Sequence, residues 1–188
     1  MADLSHAVNI EDLRLLARRR LPRAIFDFFD GGAEDEVTLR GNRAAFERVR
    51  LLPKVLVDVA QVSLETAIFG KTSRMPLAIG PTGGISAGRF GAELMLANAA
   101  KAFGVPFTMA TPSAFTIERL AEEVGGRLWF QLYAVRDLAF REKLVQRAQA
   151  AGYEAILVTV DLPTQRRLAM RVRAGAGLPR RRRLRVNM

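Results

Sequence analysis

The chain has 188 residues, of which 49% are hydrophobic and 26% are charged, a composition typical of a globular protein with enough apolar material for a core. The length favours one domain. The sequence has no cysteine, which excludes disulfides, thiolate nucleophiles and cysteine-bound metals, and its single histidine, His6, argues against a histidine-bound metal or a catalytic triad. We therefore expect no metal site.

The net charge of +10 comes from the C-terminal end of the chain. Nine of the 29 basic residues follow Asp161, where no acidic residue occurs, so the rest of the chain is almost neutral. Residues 164–188 show no helical or strand period, and we predict an irregular, basic tail there. Because the tail lacks interleaved aromatic side chains, we expect a solvated segment and no specific nucleic-acid site.

The N-terminal third of the chain predicts helices followed by short extended pieces. Asn9 is a favourable N-cap, with acidic residues in the first turn after it and arginines at the other end of the helix. Pro22 suits the first turn of a second helix. In chain order we predict helices at residues 9–20, 22–30 and 34–46, the last with Glu34, Asp35 and Glu36 in its first turn, and extended pieces at 51–59 and 66–69.

From Met75 onwards, strands and helices alternate, which indicates parallel strands with right-handed crossovers. A doubly wound sheet and part of a (βα)8 barrel both fit this alternation. The loop after the first strand does not match the dinucleotide-binding fingerprint, and a barrel needs more strands than are recognised. We predict strands at residues 76–80, 106–110, 128–133 and 155–161, with helices at 91–103, 116–124 and 137–150 between them.

Polar side chains stand at the C-terminal ends of the last two predicted strands, which are otherwise apolar. Gln131 and Tyr133 end one strand, and Thr159 and Asp161 end the next. Because the carboxyl ends of parallel strands meet at one edge, these four side chains together indicate a ligand site. Each one alone has an ordinary alternative, such as an amide satisfied within the fold or a carboxylate that caps a loop.

The loop Pro81-Thr82-Gly83 is a second candidate for ligand contact. Its backbone N–H groups and the Thr82 hydroxyl can approach a flat heterocycle closely, because Gly83 has no side chain. An ordinary turn between a strand and a helix explains the same residues, so the pattern alone leaves both interpretations open.

Five motifs occur in order along the chain: Phe26-Asp27-Phe28-Phe29-Asp30-Gly31-Gly32-Ala33-Glu34-Asp35, Leu52-Pro53-Lys54-Val55-Leu56, Gly80-Pro81-Thr82-Gly83, Trp129-Phe130-Gln131-Leu132-Tyr133 and Thr159-Val160-Asp161-Leu162-Pro163. Together they resemble the motifs of a single family, the FMN-dependent α-hydroxy acid dehydrogenases and oxidases, whose members oxidise lactate, glycolate or mandelate. The resemblance covers residues 9–163 and implies an α/β domain at residues 1–163: a helical lead-in and about the first four βα units of a truncated TIM barrel.

The resemblance also implies a cofactor and a reaction. The cofactor is FMN, and the reaction is the oxidation of a small L-2-hydroxy acid, lactate-like or mandelate-like, to the 2-oxo acid. By matching position, Pro81, Thr82 and Gly83 line the flavin. Gln131 and Thr159 form hydrogen bonds with its polar edge.

On the substrate side, the resemblance implies that Tyr133 holds the hydroxy acid and that Asp161 orients a catalytic histidine. The family's histidine, substrate arginine, flavin-facing lysine and phosphate loops fall beyond Met188 in the matched register. We therefore expect half of an active site, weak or no flavin retention, and no turnover by this chain alone. The resemblance implies a homo-oligomeric, cytoplasmic enzyme, is compatible with peripheral attachment to the inner membrane, and leaves the electron acceptor open.

Several positions depart from the family pattern. Ala110 replaces a serine and leaves only its backbone for contact with the flavin, and Phe28 replaces a tyrosine that binds the substrate carboxylate. Leu168 stands where the family has a substrate arginine, with Arg167 one position away. The departures keep other interpretations open: a non-catalytic remnant, an interaction module with an anion-binding tail, or a sheet that pairs with a separately encoded second half.

Overall fold

The computed structural model describes residues 6–161, which form two compact units of residues 6–52 and 53–161. The first unit is helical, and the second combines a parallel sheet with helices. The predicted tail at residues 164–188, together with Arg167 and Leu168, lies outside the described residues.

The first unit contains three helices, of which the first two begin and end near the predicted residues. The side chain of Asn9 accepts a hydrogen bond from the Asp12 N–H at 2.9 Å, and the Asp12 carboxylate accepts one from the Asn9 N–H at 3.3 Å. The Arg14 guanidinium binds both carboxylate oxygens of Asp30, and this hydrogen bonding holds the pKa of Asp30 below its ordinary value. The helices are α1 (Ile10–Arg20), α2 (Arg23–Asp30) and α3 (Val37–Glu47).

The predicted start of the third helix is wrong, because the acidic run forms a turn before α3. Glu34 and Glu36 have positive φ angles of 51° and 59°. The Glu36 N–H donates to the Ala33 carbonyl at 2.9 Å, and the Glu36 carboxylate accepts from the Gly32 N–H at 3.3 Å. These bonds close the turn and leave Val37 as the first helical residue.

The second unit alternates strands and helices, as the sequence predicts. The strand β2 and a short 3-10 helix are additions to the predicted elements. The predicted extended piece at residues 51–59 forms no strand, and Leu56 within it has a positive φ of 58°. In chain order the elements are β1 (Thr66–Ile68), β2 (Lys71–Ser73), the 3-10 helix (Ile85–Ala87), α4 (Ala92–Phe103), β3 (Phe107–Met109), α5 (Ile117–Val124), β4 (Leu128–Tyr133), α6 (Leu138–Ala150) and β5 (Ala155–Thr159).

Local capping explains where the helices of this unit begin and end. The Thr116 hydroxyl accepts from the Arg119 N–H at 3.2 Å at the start of α5, and the Asp137 carboxylate accepts from the Phe140 N–H at 3.0 Å at the start of α6. Helix α4 ends at Gly104, whose φ of 65° is a left-handed conformation that glycine adopts without strain. The sequence predicts each of these three boundaries.

The strands of the parallel sheet follow chain order. Ile79 bridges to Phe107 of β3, β3 pairs with β4, and β4 pairs with β5, all in parallel. Helix α4 packs against α5, and α5 packs against α6. A doubly wound sheet reverses its strand order, whereas a barrel wall adds each strand beside the last with its helices on one side. The observed order therefore favours the (βα)8 barrel.

The predicted first strand, at residues 76–80, is reduced to one bridging residue. Ile79 exchanges two backbone hydrogen bonds of 2.8 and 2.9 Å with the start of β3. Pro76 and Pro81 flank this residue and have no N–H to donate. The two prolines therefore limit the length of the ladder.

The sheet has an apolar outer face and a partly polar inner face. Phe107 and Phe130 point outward and are buried among side chains of the helices. Because side chains alternate along a strand, Trp129 and Gln131 point to the opposite, inner face. Trp129 is 7% exposed and Phe130 is 1% exposed, as expected for the apolar run that contains them.

An ion pair joins α5 to α6 on the outer layer of the unit. The Arg147 guanidinium donates to both carboxylate oxygens of Glu118 at 2.7 and 2.8 Å, and this pairing lowers the pKa of Glu118 from 4.5 to about 2. The pair therefore stays charged well into the acid range. Its side chains are 37% and 42% exposed, so water screens much of the attraction.

The hairpin of β1 and β2 is attached to the N-terminal end of the sheet by a partly buried charge cluster. Glu154, directly before β5, accepts from Arg127 and from Lys71, both at 2.9 Å. Arg127 also donates to the Ile68 carbonyl at 2.8 Å. Burial alone raises the pKa of Glu154, but the hydrogen bonds from Arg127 and Lys71 outweigh it and leave the pKa below its ordinary value.

Removal of this carboxylate should destabilise the fold far more than removal of an exposed one. Glu154→Ala leaves the Arg127 charge, whose side chain is 14% exposed, without its partner, so we expect the free energy of unfolding to fall by about 2–3 kcal/mol. Glu123→Ala breaks an exposed pair with Arg119 within α5 and should cost less than about 0.5 kcal/mol. Urea denaturation followed by circular dichroism measures both losses, and equal losses would contradict the role of the cluster.

Candidate functional site

The candidate site lies where the parallel strands end. The carboxyl ends of β3, β4 and β5 meet there with the loops of residues 81–84 and 110–115. In parallel α/β folds, ligands bind at this edge because the loops and helix N-termini converge there. The predicted site residues of this unit are Pro81, Thr82, Gly83, Ala110, Gln131, Tyr133, Thr159 and Asp161.

Gln131 and Thr159 lie on adjacent strands and are hydrogen-bonded to each other. The Gln131 side chain is 3% exposed, and its Nε2 donates to the Thr159 hydroxyl at 2.8 Å. Thr159 is half-buried at the last position of β5. Because a buried amide without partners is costly, this contact both satisfies Gln131 and ties β4 to β5 at the site.

Thr111 completes this hydrogen-bonded group, and the sequence prediction missed it. Its backbone N–H donates to Oε1 of Gln131 at 2.9 Å, and its hydroxyl donates to the main-chain carbonyl of Gln131. The same hydroxyl accepts from the Tyr133 N–H at 3.3 Å. The signal in the sequence is a polar residue directly after Ala110, at the sheet edge that also holds Gln131.

The loop of residues 81–84 packs closely on the loop that follows β3. A Cβ built on Gly83 would lie 2.7 Å from Cγ of Pro112, and the Gly84 N–H donates to the Pro112 carbonyl at 3.0 Å. Only glycine fits at position 83 without moving one of the loops. Pro81 and Thr82 are exposed, so their surface is open to a ligand.

A buried carboxylate joins the same two loops, and it too is absent from the sequence prediction. Glu93, in the first turn of α4, is 2% exposed and accepts from the Ser86 hydroxyl and, at 3.3 Å, from the Ala114 N–H. From sequence alone, an acidic residue in a first helical turn has an ordinary explanation in the helix dipole. The structure adds that Glu93 links the loops that precede α4 and α5.

The other predicted residues of this unit differ in exposure. Tyr133, the last residue of β4, is 36% exposed, and Ala110 is 5% exposed with no polar side-chain atom. Asp161 is exposed and lies beyond the end of β5, so the predicted strand through Asp161 is wrong. The reason is that β4, the ladder partner of β5, ends at Tyr133, directly opposite Thr159.

Phe28 belongs to the first unit, on α2. It is 42% exposed and packs edge-on against Phe29, with ring centroids 5.1 Å apart. On the same helix Phe26 is buried, at 8% exposure, whereas Phe29 is 38% exposed.

The residues at this edge fit the polar edge of FMN. Gln131 keeps a second amide N–H after donating to Thr159, and the Thr159 hydroxyl accepts that bond and keeps its own O–H to donate. Gly83 keeps the loop of residues 81–84 free of a side chain at that position. A flat, polar-edged ring system requires such fixed hydrogen-bonding groups beside a smooth surface.

The contact between Gly83 and Pro112 gives a direct test of this arrangement. Gly83→Ala places a Cβ against the Pro112 ring, so we expect the free energy of unfolding to fall by about 1–3 kcal/mol. Gly80→Ala is the matched control, because a Cβ there meets no atom within 4 Å, and it should change stability by less than about 0.5 kcal/mol. Urea denaturation measures both, and equal effects of the two substitutions would argue against the close loop packing.

Comparison with known proteins identifies the family. Residues 17–188 match the family model described as FMN-dependent dehydrogenase. The chain is 43% identical over 155 residues to (S)-mandelate dehydrogenase of Pseudomonas putida, covering 82% of this chain and 39% of that protein. It is 43% identical over 172 residues to 4-hydroxymandelate oxidase of Amycolatopsis orientalis, covering 92% and 48%. It is 42% identical over 154 residues to L-lactate dehydrogenase of Yersinia pestis (strain Pestoides F), covering 81% and 40%.

Solved structures of similar proteins share the fold. Mandelate oxidase in complex with 3,3-difluoro-2-hydroxy-3-phenylpropionic acid superposes with a TM-score of 0.83 at 43% identity, covering 92% of this chain and 52% of that chain. (S)-Mandelate dehydrogenase, described as a monotopic membrane protein, superposes with a TM-score of 0.81 at 41% identity, covering 84% and 42%. These enzymes are TIM barrels, and this chain spans about half of their length. The chain belongs to the FMN-dependent dehydrogenase family.

Proposed function

We propose that this chain carries the flavin-edge half of an FMN-dependent enzyme that oxidises an L-2-hydroxy acid to the 2-oxo acid. The observation that carries the proposal is the Gln131–Thr159 pair, which Thr111 holds at the carboxyl ends of β4 and β5. Membership of the family supports it. The relatives are named for mandelate, 4-hydroxymandelate and L-lactate, and all three compounds are 2-hydroxy acids.

On the cofactor side, the residues of this chain would bind the flavin ring and orient it. Gln131 and Thr159 would hold the polar edge of the isoalloxazine ring through hydrogen bonds. Pro81, Thr82 and Gly83 would line the ring near its reactive nitrogen. FMN, when bound, takes up the electron pair that is removed from the substrate.

On the substrate side, Tyr133 and Asp161 have separate roles in the proposal. Tyr133 is 36% exposed at the end of β4, and its hydroxyl would hold the hydroxy acid beside the flavin. Asp161 is exposed after β5 and would orient a catalytic base by accepting a hydrogen bond from it. Neither residue would remove the substrate proton itself, because the base that Asp161 orients would take it.

Several residues would contribute less than their counterparts in the family pattern. Phe28 has no hydroxyl for the substrate carboxylate, and Ala110 offers the flavin only its backbone. Leu168 stands where the family pattern has the substrate arginine, and Arg167 is one position away in the sequence. The reaction also needs a base, a main carboxylate clamp and a phosphate site, which would lie in the part of the longer relatives that this chain does not match. The chain covers 39% of one such relative and 48% of another.

We also propose peripheral attachment to an anionic membrane surface through the basic tail. The support is the arginine content of residues 164–188 and the description of one relative as a monotopic membrane protein. No helix within residues 6–161 has the length and apolar character needed to cross a membrane. Co-sedimentation with anionic vesicles should fall sharply when residues 164–188 are deleted, and unchanged binding would rule the tail out.

FMN binding by the chain should be weak and should depend on Gln131. Gln131→Leu removes the side-chain hydrogen bonds, so we expect the FMN affinity to fall by about tenfold, the effect of one or two lost hydrogen bonds. Thr108→Val is the control, because the Thr108 hydroxyl is buried and has no hydrogen-bond partner among the described residues, and it should leave the affinity unchanged. Quenching of FMN fluorescence during titration measures the affinities.

The same samples test the division of the site between this chain and the remaining half of the enzyme. Added L-lactate or L-mandelate should not bleach the bound flavin, because the base and the carboxylate clamp are assigned to the other half. Bleaching by either substrate would contradict that division. A wild-type chain that does not quench FMN would contradict the role of this edge in flavin binding.

A further inference from the structure

The strands β3 and β4 separate at the site, and a side chain replaces the missing ladder bonds. Their last paired residues are Met109 and Phe130. Beyond this pair, the Thr111 hydroxyl donates to the carbonyl of Gln131 and accepts from the N–H of Tyr133 at 3.3 Å. Thr111 is therefore held against β4 by two contacts to main-chain atoms, although β3 has ended.

The position of Thr111 determines which end of the Gln131 amide it meets. The Thr111 N–H, at 2.9 Å from Oε1, can only donate, so the oxygen end of the amide must face it. A reversed amide would place two N–H donors against each other. The nitrogen end then points to the Thr159 hydroxyl at 2.8 Å. Gln131 is 3% exposed, so bulk water cannot replace the hydrogen bonds that a reversed amide would lose.

Thr159 does not determine the orientation of the Gln131 amide, because a hydroxyl group can both donate and accept a hydrogen bond. It would bond the oxygen end of the amide as readily as the nitrogen end. Within the described residues, the Gln131 side-chain amide has two hydrogen-bond partners, the Thr111 N–H and the Thr159 hydroxyl. Only the Thr111 N–H restricts the amide to one orientation.

We propose that Thr111 is a positioning residue that sets the orientation of the Gln131 amide, so that the site meets its ligand with an N–H donor. The chemical group that this donor takes is a carbonyl oxygen, such as those on the polar edge of a flavin. The identification of the ligand as FMN rests on the proposed function, whereas the orientation of the amide does not.

A test without flavin compares threonine substitutions on and beside β3. Thr111→Val keeps the shape of the side chain and removes its hydroxyl, whereas Thr111→Ser keeps the hydroxyl. Thr108→Val, on β3, removes a hydroxyl that has no hydrogen-bond partner within residues 6–161. Exchange of the residue-111 amide proton and of the Gln131 Nε2 protons, followed by ¹⁵N–¹H NMR, should speed up about tenfold in Thr111→Val, the effect of one weakened hydrogen bond. In the other two variants both exchange rates should stay near wild type.

The flavin test uses the same variants and one more. Thr111→Val should weaken FMN binding by about tenfold, and Thr111→Ser should restore it. Gln131→Glu keeps an acceptor for the Thr111 N–H but has no N–H to donate, so it should bind FMN more weakly while the residue-111 amide stays slow to exchange. This variant decides the question even where Thr111→Val does not fold.

The outcomes separate this inference from the proposed function. Wild-type exchange of the residue-111 and Gln131 Nε2 protons in a folded Thr111→Val variant overturns the positioning role of Thr111. Wild-type affinity of Gln131→Glu for FMN overturns the donor orientation. A wild-type chain with no affinity for FMN overturns the proposed function, and the exchange rates measured without flavin still decide whether Thr111 orients Gln131.

Discussion

The buried amide of Gln131 is the constraint on which the candidate site depends. An amide at 3% exposure must find hydrogen-bond partners within the fold, and it finds one on each side of β4: Thr111 in the loop after β3, and Thr159 on β5. These bonds tie three adjacent strands together at the point where the backbone ladder between β3 and β4 ends. The same bonds fix the polar groups that we propose for flavin binding, so the contacts that stabilise this edge would also prepare it for the ligand.

The surrounding loops depend on a second set of contacts. Gly83 packs against Pro112, and Glu93 joins Ser86 to Ala114, so the loops that precede α4 and α5 hold one another in place. At the opposite end of the sheet, the charge cluster around Glu154 attaches the β-hairpin. These contacts hold the loops at the carboxyl edge of the parallel sheet, and binding residues commonly lie on loops that a rigid scaffold positions.

Much of this arrangement could be predicted from the sequence because its signals are local. The strand β4 matches its predicted bounds because the mainly apolar residues 128–133 follow a glycine pair at residues 125–126 by one position. The capping residues Asn9, Thr116 and Asp137 begin their helices as predicted. Periodicity left the choice between barrel and doubly wound sheet open, because strand order is a property of the tertiary fold.

Most of the features that the sequence did not predict correctly depend on contacts between segments that are distant in the chain. Thr111 and Glu93 act through partners from other elements, and β5 ends before Asp161 because its neighbour β4 ends opposite Thr159. The acidic run at residues 34–36 has the composition of a first helical turn, but hydrogen bonds of the Glu36 backbone and side chain close it into a separate turn before α3. Residue types alone do not show these contacts, which arise when distant segments pack together.

Hydrogen–deuterium exchange of the full chain with and without FMN, read by mass spectrometry, tests directly whether the chain meets the flavin with the edge formed by the ends of β3, β4 and β5. We expect slower exchange on addition of FMN in peptides that contain Thr111, Gln131 and Thr159, with no change in α5, which lies on the outer layer. Protection confined to the β-hairpin or to α5, or no protection at saturating FMN, would contradict flavin binding at this edge.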